Sequence, residues 1–272
     1  MKSLILPEAI VYPKYEVTIP SLPNETIFVT SFTVKDLLEI ASVVNFSESK
    51  LVEHIINMVY KKIVDKSKLK VESEEEFIKK YYVPDRDALL LGIIVATYNT
   101  EFDMNLKCTN CKAVNKFKVD ILKHVTFNKD VYKPNLNEEI YLETSKVKMT
   151  ITYPTLYETL DLIRKMENKV FRNKDEREVF MSVVGNIVPF ISKMVVLKAD
   201  GTEIVDETDN KLEIADYISV LPKKDYDKLV EKIISLNITN PYITFNFRYQ
   251  CNECGSSNTA TGDVNTLFFQ MI

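Results

Sequence analysis

Residues 102–120 read FDMNLKCTNCKAVNKFKVD, and residues 245–263 read FNFRYQCNECGSSNTATGD. With Cys108 placed over Cys251, both stretches carry Phe six positions before the first cysteine (Phe102, Phe245). Both carry Asn seven positions after it (Asn115, Asn258) and Asp twelve after it (Asp120, Asp263). The chain's four cysteines are Cys108, Cys111, Cys251 and Cys254. Apolar residues alternate ahead of the first pair (Phe102, Met104, Leu106) and after it (Phe117, Val119, Ile121). The run Tyr242–Tyr249 ahead of the second pair is the clearest strand in the sequence. Period-two alternation is a strand signal, so the first stretch reads as a hairpin with two thiols at its tip, and the second reads as its copy.

Two Cys-x2-Cys turns brought together offer four thiolates to one ion, the ligand set of a closed structural zinc site. The expectation is therefore one structural Zn2+ on Cys108, Cys111, Cys251 and Cys254. A usual ribbon separates its pairs by roughly 15–20 residues, whereas 139 lie between Cys111 and Cys251. The matched flanks, rather than the spacing, carry the inference. A redox pair is one alternative, but it needs a Cys-x2-Cys at a helix N-terminus, and neither Lys-Ala-Val-Asn-Lys nor Gly-Ser-Ser-Asn-Thr opens a helix. Four unliganded cysteines are the other. His54 and His124 read as bystanders.

Composition narrows the function. The 272 residues carry a net charge of −4 and are 46% hydrophobic and 27% charged, which suits one or two globular domains. Thirty of the basic residues are Lys and five are Arg, a poor supply for forked contacts with phosphate or guanine. Five glycines leave no Gly-rich phosphate loop. Asp85 and Asp87 flank Arg86 at a helix start, where capping accounts for them. No catalytic constellation is found, so the chain reads as non-enzymatic, with no small-molecule substrate. The apolar run 179–197 is broken by Asn186, Pro189 and Lys193, so no membrane span is expected. The N-terminal run is too short for a signal peptide, which places the chain in a reducing cytoplasm, where paired cysteines favour metal over disulfide.

Around the two hairpins the expected architecture is α+β and mostly helical. Residues 1–32 form an extended arm punctuated by Pro7, Pro13, Pro20 and Pro23. Residues 33–100 form a helical region with helices opened by Thr33 and Asp36, by Ser47, by Ser73 and Glu76, and by Pro84-Asp85; Val44 belongs to the first apolar stripe. Residues 101–153 hold the first zinc hairpin and short strands. Residues 154–236 form a second helical region: one helix from Thr155 and Glu158 to a break near Asn173, one over 175–197 that Pro189 bends or divides by ending one segment, an Asp200-Gly201 turn, and two more near 213–221 and 224–236. Residues 237–272 hold the second hairpin, packed on the first, and an apolar end at Ile272.

Read in order, the chain resembles the T4-like baseplate hub family of contractile-tailed phages. The resemblance runs through Tyr15–Ser21, Phe32-Thr33-Val34-Lys35, the Cys-x2-Cys followed by Val119-Asp120-Ile121, Ile151–Thr155, Cys251-x2-Cys254-Gly255 and Phe268-Phe269. It implies a structural or assembly protein of the tail baseplate hub, made in the host cytoplasm and carried in the virion, with other phage tail proteins as partners and no nucleic acid. Two alternatives stay open. One is a tail assembly chaperone absent from the mature virion. The other is a zinc-ribbon nucleic-acid-binding protein, for which Lys107, Lys112, Lys116 and Lys118 form a small basic cluster, against Glu253 on the second turn.

Overall fold

The computed structural model describes residues 11–43, 47–172, 174–198, 200 and 203–271. Pro7, Val44, Asn173, Gly201 and Ile272 lie outside these. Two hydrophobic cores organise the chain.

The first core is built around one helix. Hairpin β1 (Lys14–Ile19) and β2 (Leu22–Thr30) leads into α1 (Val34–Val43), α2 (Glu48–Lys62), α3 (Glu74–Lys80) and α4 (Val83–Tyr98). Leu89, Leu90, Ile93 and Ile94 of α4 are fully buried, since a helix apolar on all sides needs cover on all sides. The extended opening segment supplies part of that cover: Val17, Ile19, Ile27 and Val29 pack into the same core. Gly92 makes this possible, because a Cβ there would sit 2.1 Å from Val17 Cγ2. Asp85 ties the hairpin turn to the helix start, accepting from the Ser21 N–H (2.8 Å), the Ser21 hydroxyl (2.6 Å) and the Tyr82 N–H (3.0 Å). The capping signals form as read: Thr33 with Asp36, Ser47 with the Lys50 N–H, Ser73 with the Glu76 N–H, and Thr155 with Glu158.

From α4 the chain enters β3 (Glu101–Lys107), β4 (Val114–Asp120), α5 (Ile121–His124) and β5 (Val125–Phe127). The second core comes next, as β6 (Asn137–Leu142), β7 (Val147–Thr152), α6 (Leu156–Asn168), α7 (Lys174–Phe180), β8 (Ile191–Leu197), β9 (Ile204–Thr208), α8 (Lys211–Ser219) and α9 (Lys223–Ser235). Its four strands make an antiparallel sheet in sequence order, with buried residues from α6, α8 and α9 in the same core. The chain then returns to the first core through β10 (Ile243–Gln250), β11 (Ser257–Asp263) and α10 (Val264–Met271), burying Leu267 and Phe268 beside Phe32.

The expectation of a mostly helical body is corrected here. Among the described residues 46% are helical and 29% are strand, in four sheets; the fold is α+β. The largest departure lies at 175–197. Helix α7 stops at Phe180, a wide helical turn covers Met181–Gly185, and Pro189 sits in a short tight turn. Pro lacks an N–H to continue a helix, and Ile191–Leu197 emerges as a strand pairing with β7 and β9 on its two sides. An apolar run of this length fits a buried helix or a buried strand, and periodicity alone does not separate the two.

Candidate metal centre

Each Cys-x2-Cys sits on the turn of an antiparallel hairpin, β3–β4 and β10–β11. The turns share one backbone path. The Cys108 N–H donates to Ala113 O (2.8 Å) and the Cys251 N–H to Ser256 O (2.9 Å). The Lys112 N–H donates to Cys108 O and the Gly255 N–H to Cys251 O. The fourth residue after each first cysteine is left-handed, Lys112 at φ 63° and Gly255 at φ 69°. Gly adopts this conformation without strain, so the Lys112 turn carries a steric cost that the Gly255 turn avoids.

Facing each other, the hairpins bring all four Sγ atoms within 4.8 Å of one another. Cys108 and Cys254 approach to 3.8 Å across the interface, and Cys111 and Cys251 to 3.5 Å. Cys108 and Cys251 are buried, while Cys111 and Cys254 lie at the exposed rim, and none of the four is in a disulfide. Among the described residues no histidine joins this group. His124 instead packs its ring on Phe247.

The matched asparagines cross over. Asn115, on the first hairpin, donates through Nδ2 to the Cys251 sulfur (3.5 Å) and accepts through Oδ1 from the Asn252 N–H (2.7 Å). Asn258, on the second, donates to the Cys108 sulfur (3.5 Å) and accepts from the Thr109 N–H (2.9 Å). Each side chain therefore holds the other hairpin's knuckle, and both are buried. The matched aspartates stand where each second strand gives way to a helix. Asp263 accepts from the Thr266 N–H at the start of α10, and Asp120 precedes α5 and pairs with Lys123. Below the knuckles, Phe117 packs on Phe247 and Tyr249, and the Tyr249 hydroxyl donates to Lys107 O.

The sulfurs are unequal. The Ser256 hydroxyl, with N–H groups of Cys111 and Asn110, overcomes desolvation and draws the Cys108 thiol down to about 5. Cys254 is lowered too, chiefly by the same hydroxyl at 3.0 Å. At Cys111 the Ala113 N–H favours the thiolate, but desolvation and the three neighbouring sulfurs push the thiol up to about 12. Four crowded sulfurs oppose one another's ionisation, and a cation among them would relieve that repulsion.

Two of the four lysines of the first turn are ion-paired. Lys116 pairs with Asp103 (2.8 Å), Lys118 with Glu101 (3.3 Å), and Lys112 Nζ donates to Thr109 O. The acidic partners Asp103 and Glu101 interrupt the uniformly basic surface a nucleic-acid reader needs.

A family model described as T4 bacteriophage base plate protein matches residues 12–269. The chain belongs to this family. Membership of the T4 base plate family makes it a phage baseplate protein, and the match spans both cores and both halves of the cysteine cluster. No curated protein and no solved structure matches the chain. No helix among the described residues is long and apolar enough to cross a membrane. The crossed asparagines are the part of the centre that sequence reading missed. Their equal offset from the first cysteine marked them as repeated, but did not reveal that each serves the opposite hairpin.

Proposed function

We propose that this baseplate protein is a non-enzymatic structural subunit of the tail hub, carried in the virion, and that one Zn2+ on Cys108, Cys111, Cys251 and Cys254 staples it together. The observation that carries the zinc reading is the crossed pair of knuckles. Zinc–thiolate bonds of about 2.3 Å in a tetrahedron put sulfurs about 3.8 Å apart, close to the 3.8 and 3.5 Å across the interface. The donor set fits: four soft sulfurs, with amide N–H groups aimed at Cys108 and Cys251 as outer-shell donors. When bound, the ion supplies positive charge to the crowded thiolates and, with all four positions filled, no place for a substrate. Cys108, Cys111, Cys251 and Cys254 would hold it, and Asn115 and Asn258 would orient the two buried sulfurs.

The role of such a staple is mechanical. The second core is an insertion between the two hairpins, and the staple fastens its ends. Structural zinc sites in small peptides contribute about 10–16 kcal/mol, comparable to a whole domain's margin of about 5–15 kcal/mol. Native mass spectrometry of the purified chain is expected to show one zinc per chain, lost in Cys254→Ser; a metal-free wild type with full stability overturns the staple. Proteomics of purified virions tests the hub reading separately. The chain is expected in the particle, and its absence there points to an assembly chaperone instead.

A further inference from the structure

Beside α4 runs a groove of about 480 Å3 that the metal centre does not use. Its floor is Ala88, Leu91 and Gly92 of α4; its far wall includes Leu122, Phe127 and Tyr242. Its near wall is β1 and the turn after it, where the consecutive residues Tyr15–Pro20 all line it. Successive side chains of a strand point to opposite faces, so a cavity touching five strand residues in a row, Tyr15–Ile19, lies along the strand's edge.

Among the described residues no second strand covers that edge, since β1 pairs only with β2. The Ser31 N–H donates to Pro13 O, which fixes the pairing phase. Residues 13, 15 and 17 face β2 with their N–H and C=O groups, so Lys14 and Glu16 point theirs outward. The opposite edge of the hairpin agrees, since Phe28, the partner of Glu16, offers its outward C=O to the Val64 N–H. The same logic applies across the groove. The Asn128 N–H donates to Tyr242 O, so Phe127 of β5 turns its N–H and C=O away from β10. Phe127 and Leu122 are also exposed apolar side chains. Open strand edges with apolar flanks are normally blunted or covered.

We propose that this groove takes an extended segment of a neighbouring baseplate protein as an added strand on β1. The family membership supplies the setting, and the zinc reading is not needed. The edge dictates the segment's chemistry. Its main chain bonds the outward groups of Lys14 and Glu16. Alternate side chains are apolar, to lie against the exposed Leu122 and Phe127. The polar positions between them carry a basic residue opposite the exposed Glu16 and an acidic one toward Lys129, which lines the same groove. Pro13 and Pro20 bracket β1 and limit the added strand to the stretch between them.

The test uses the full chain and a short fluorescein-labelled peptide of valine alternating with polar residues, lysine at one end and glutamate at the other. Anisotropy is expected to report binding, with slowed amide exchange at Lys14 and Glu16. Glu16→Pro removes one outward N–H at an edge position where proline is tolerated. It is expected to weaken binding by about tenfold while leaving thermal unfolding near wild type. Glu16→Lys, a surface change, is expected to prefer the peptide whose lysine is replaced by glutamate. No binding up to about 1 mM, or binding unchanged in both variants, overturns the proposal. Protection of the same amides without peptide also overturns it. If that protection grows with protein concentration, a second copy is the occupant; if it vanishes when residues 1–10 are deleted, the chain's own N-terminus is.

Discussion

Asn115→Ala isolates the crossed asparagine from the sulfurs it serves. Asn115 makes three hydrogen bonds, to the Asn252 N–H, Ala113 O and the Cys251 sulfur. At about 1 kcal/mol each, their loss costs about 3 kcal/mol. Asn110 is the internal control. It is exposed and reaches only the Cys254 sulfur at 3.8 Å, so Asn110→Ala is expected within about 0.5 kcal/mol of wild type. Urea unfolding of the metal-loaded protein measures both. Outer-shell substitutions also weaken metal binding by about 10–100-fold, so chelator competition gives a second readout. Asn258→Ala is the mirror experiment, and its loss should match or exceed that of Asn115→Ala, because Asn258 also accepts from the Thr109 hydroxyl. If Asn115→Ala unfolds like Asn110→Ala and holds metal as tightly as wild type, the crossed bonds do not carry the clasp.

Single contacts give further expected outcomes. Gly92→Ala drives a methyl into the stiff Val17 side chain, so a loss of about 1–3 kcal/mol is expected, with faster amide exchange across residues 14–30. Asp225 at the start of α9 works against its burial, yet the hydroxyl and N–H of Ser145 and the N–H of Thr144 hold its carboxyl below the usual range. A lowered folded-state pKa gives stability that is present above the unfolded value and lost as pH falls through the folded one. Asp225→Ala is therefore expected to cost about 2 kcal/mol near neutral pH, with the gap to wild type closing below about pH 4; a gap constant down to pH 2 refutes the assignment. A strong chelator at neutral pH is expected to lower the wild-type melting temperature and to leave Cys254→Ser nearly unmoved.

The sequence by itself determined what depends on near neighbours. Thr33 with Asp36 and Thr155 with Glu158 are legible because both partners of a capping box lie within one helical turn. The four cysteines are legible as two matched turns because a Cys-x2-Cys knuckle is a local object, and the equal offsets of Asn115 and Asn258 are visible in the bare string of residues. The family resemblance also stood in the sequence, and the match over residues 12–269 agrees with it. Tertiary structure decided what depends on distant partners. Ile191–Leu197 is a strand because β7 and β9 are there to pair with it. The segment before α1 is a hairpin held on α4 by Asp85, 64 residues from Ser21. Asp85 and Asp87 both read as capping residues, but only Asp85 caps the helix, and Asp87 forms a buried ion pair with Arg86. Asn115 and Asn258 each serve the other's hairpin across more than a hundred residues of chain. An isolated chain segment leaves its backbone and amide groups free to choose among partners, and only the packed fold, by excluding water, makes one choice stable.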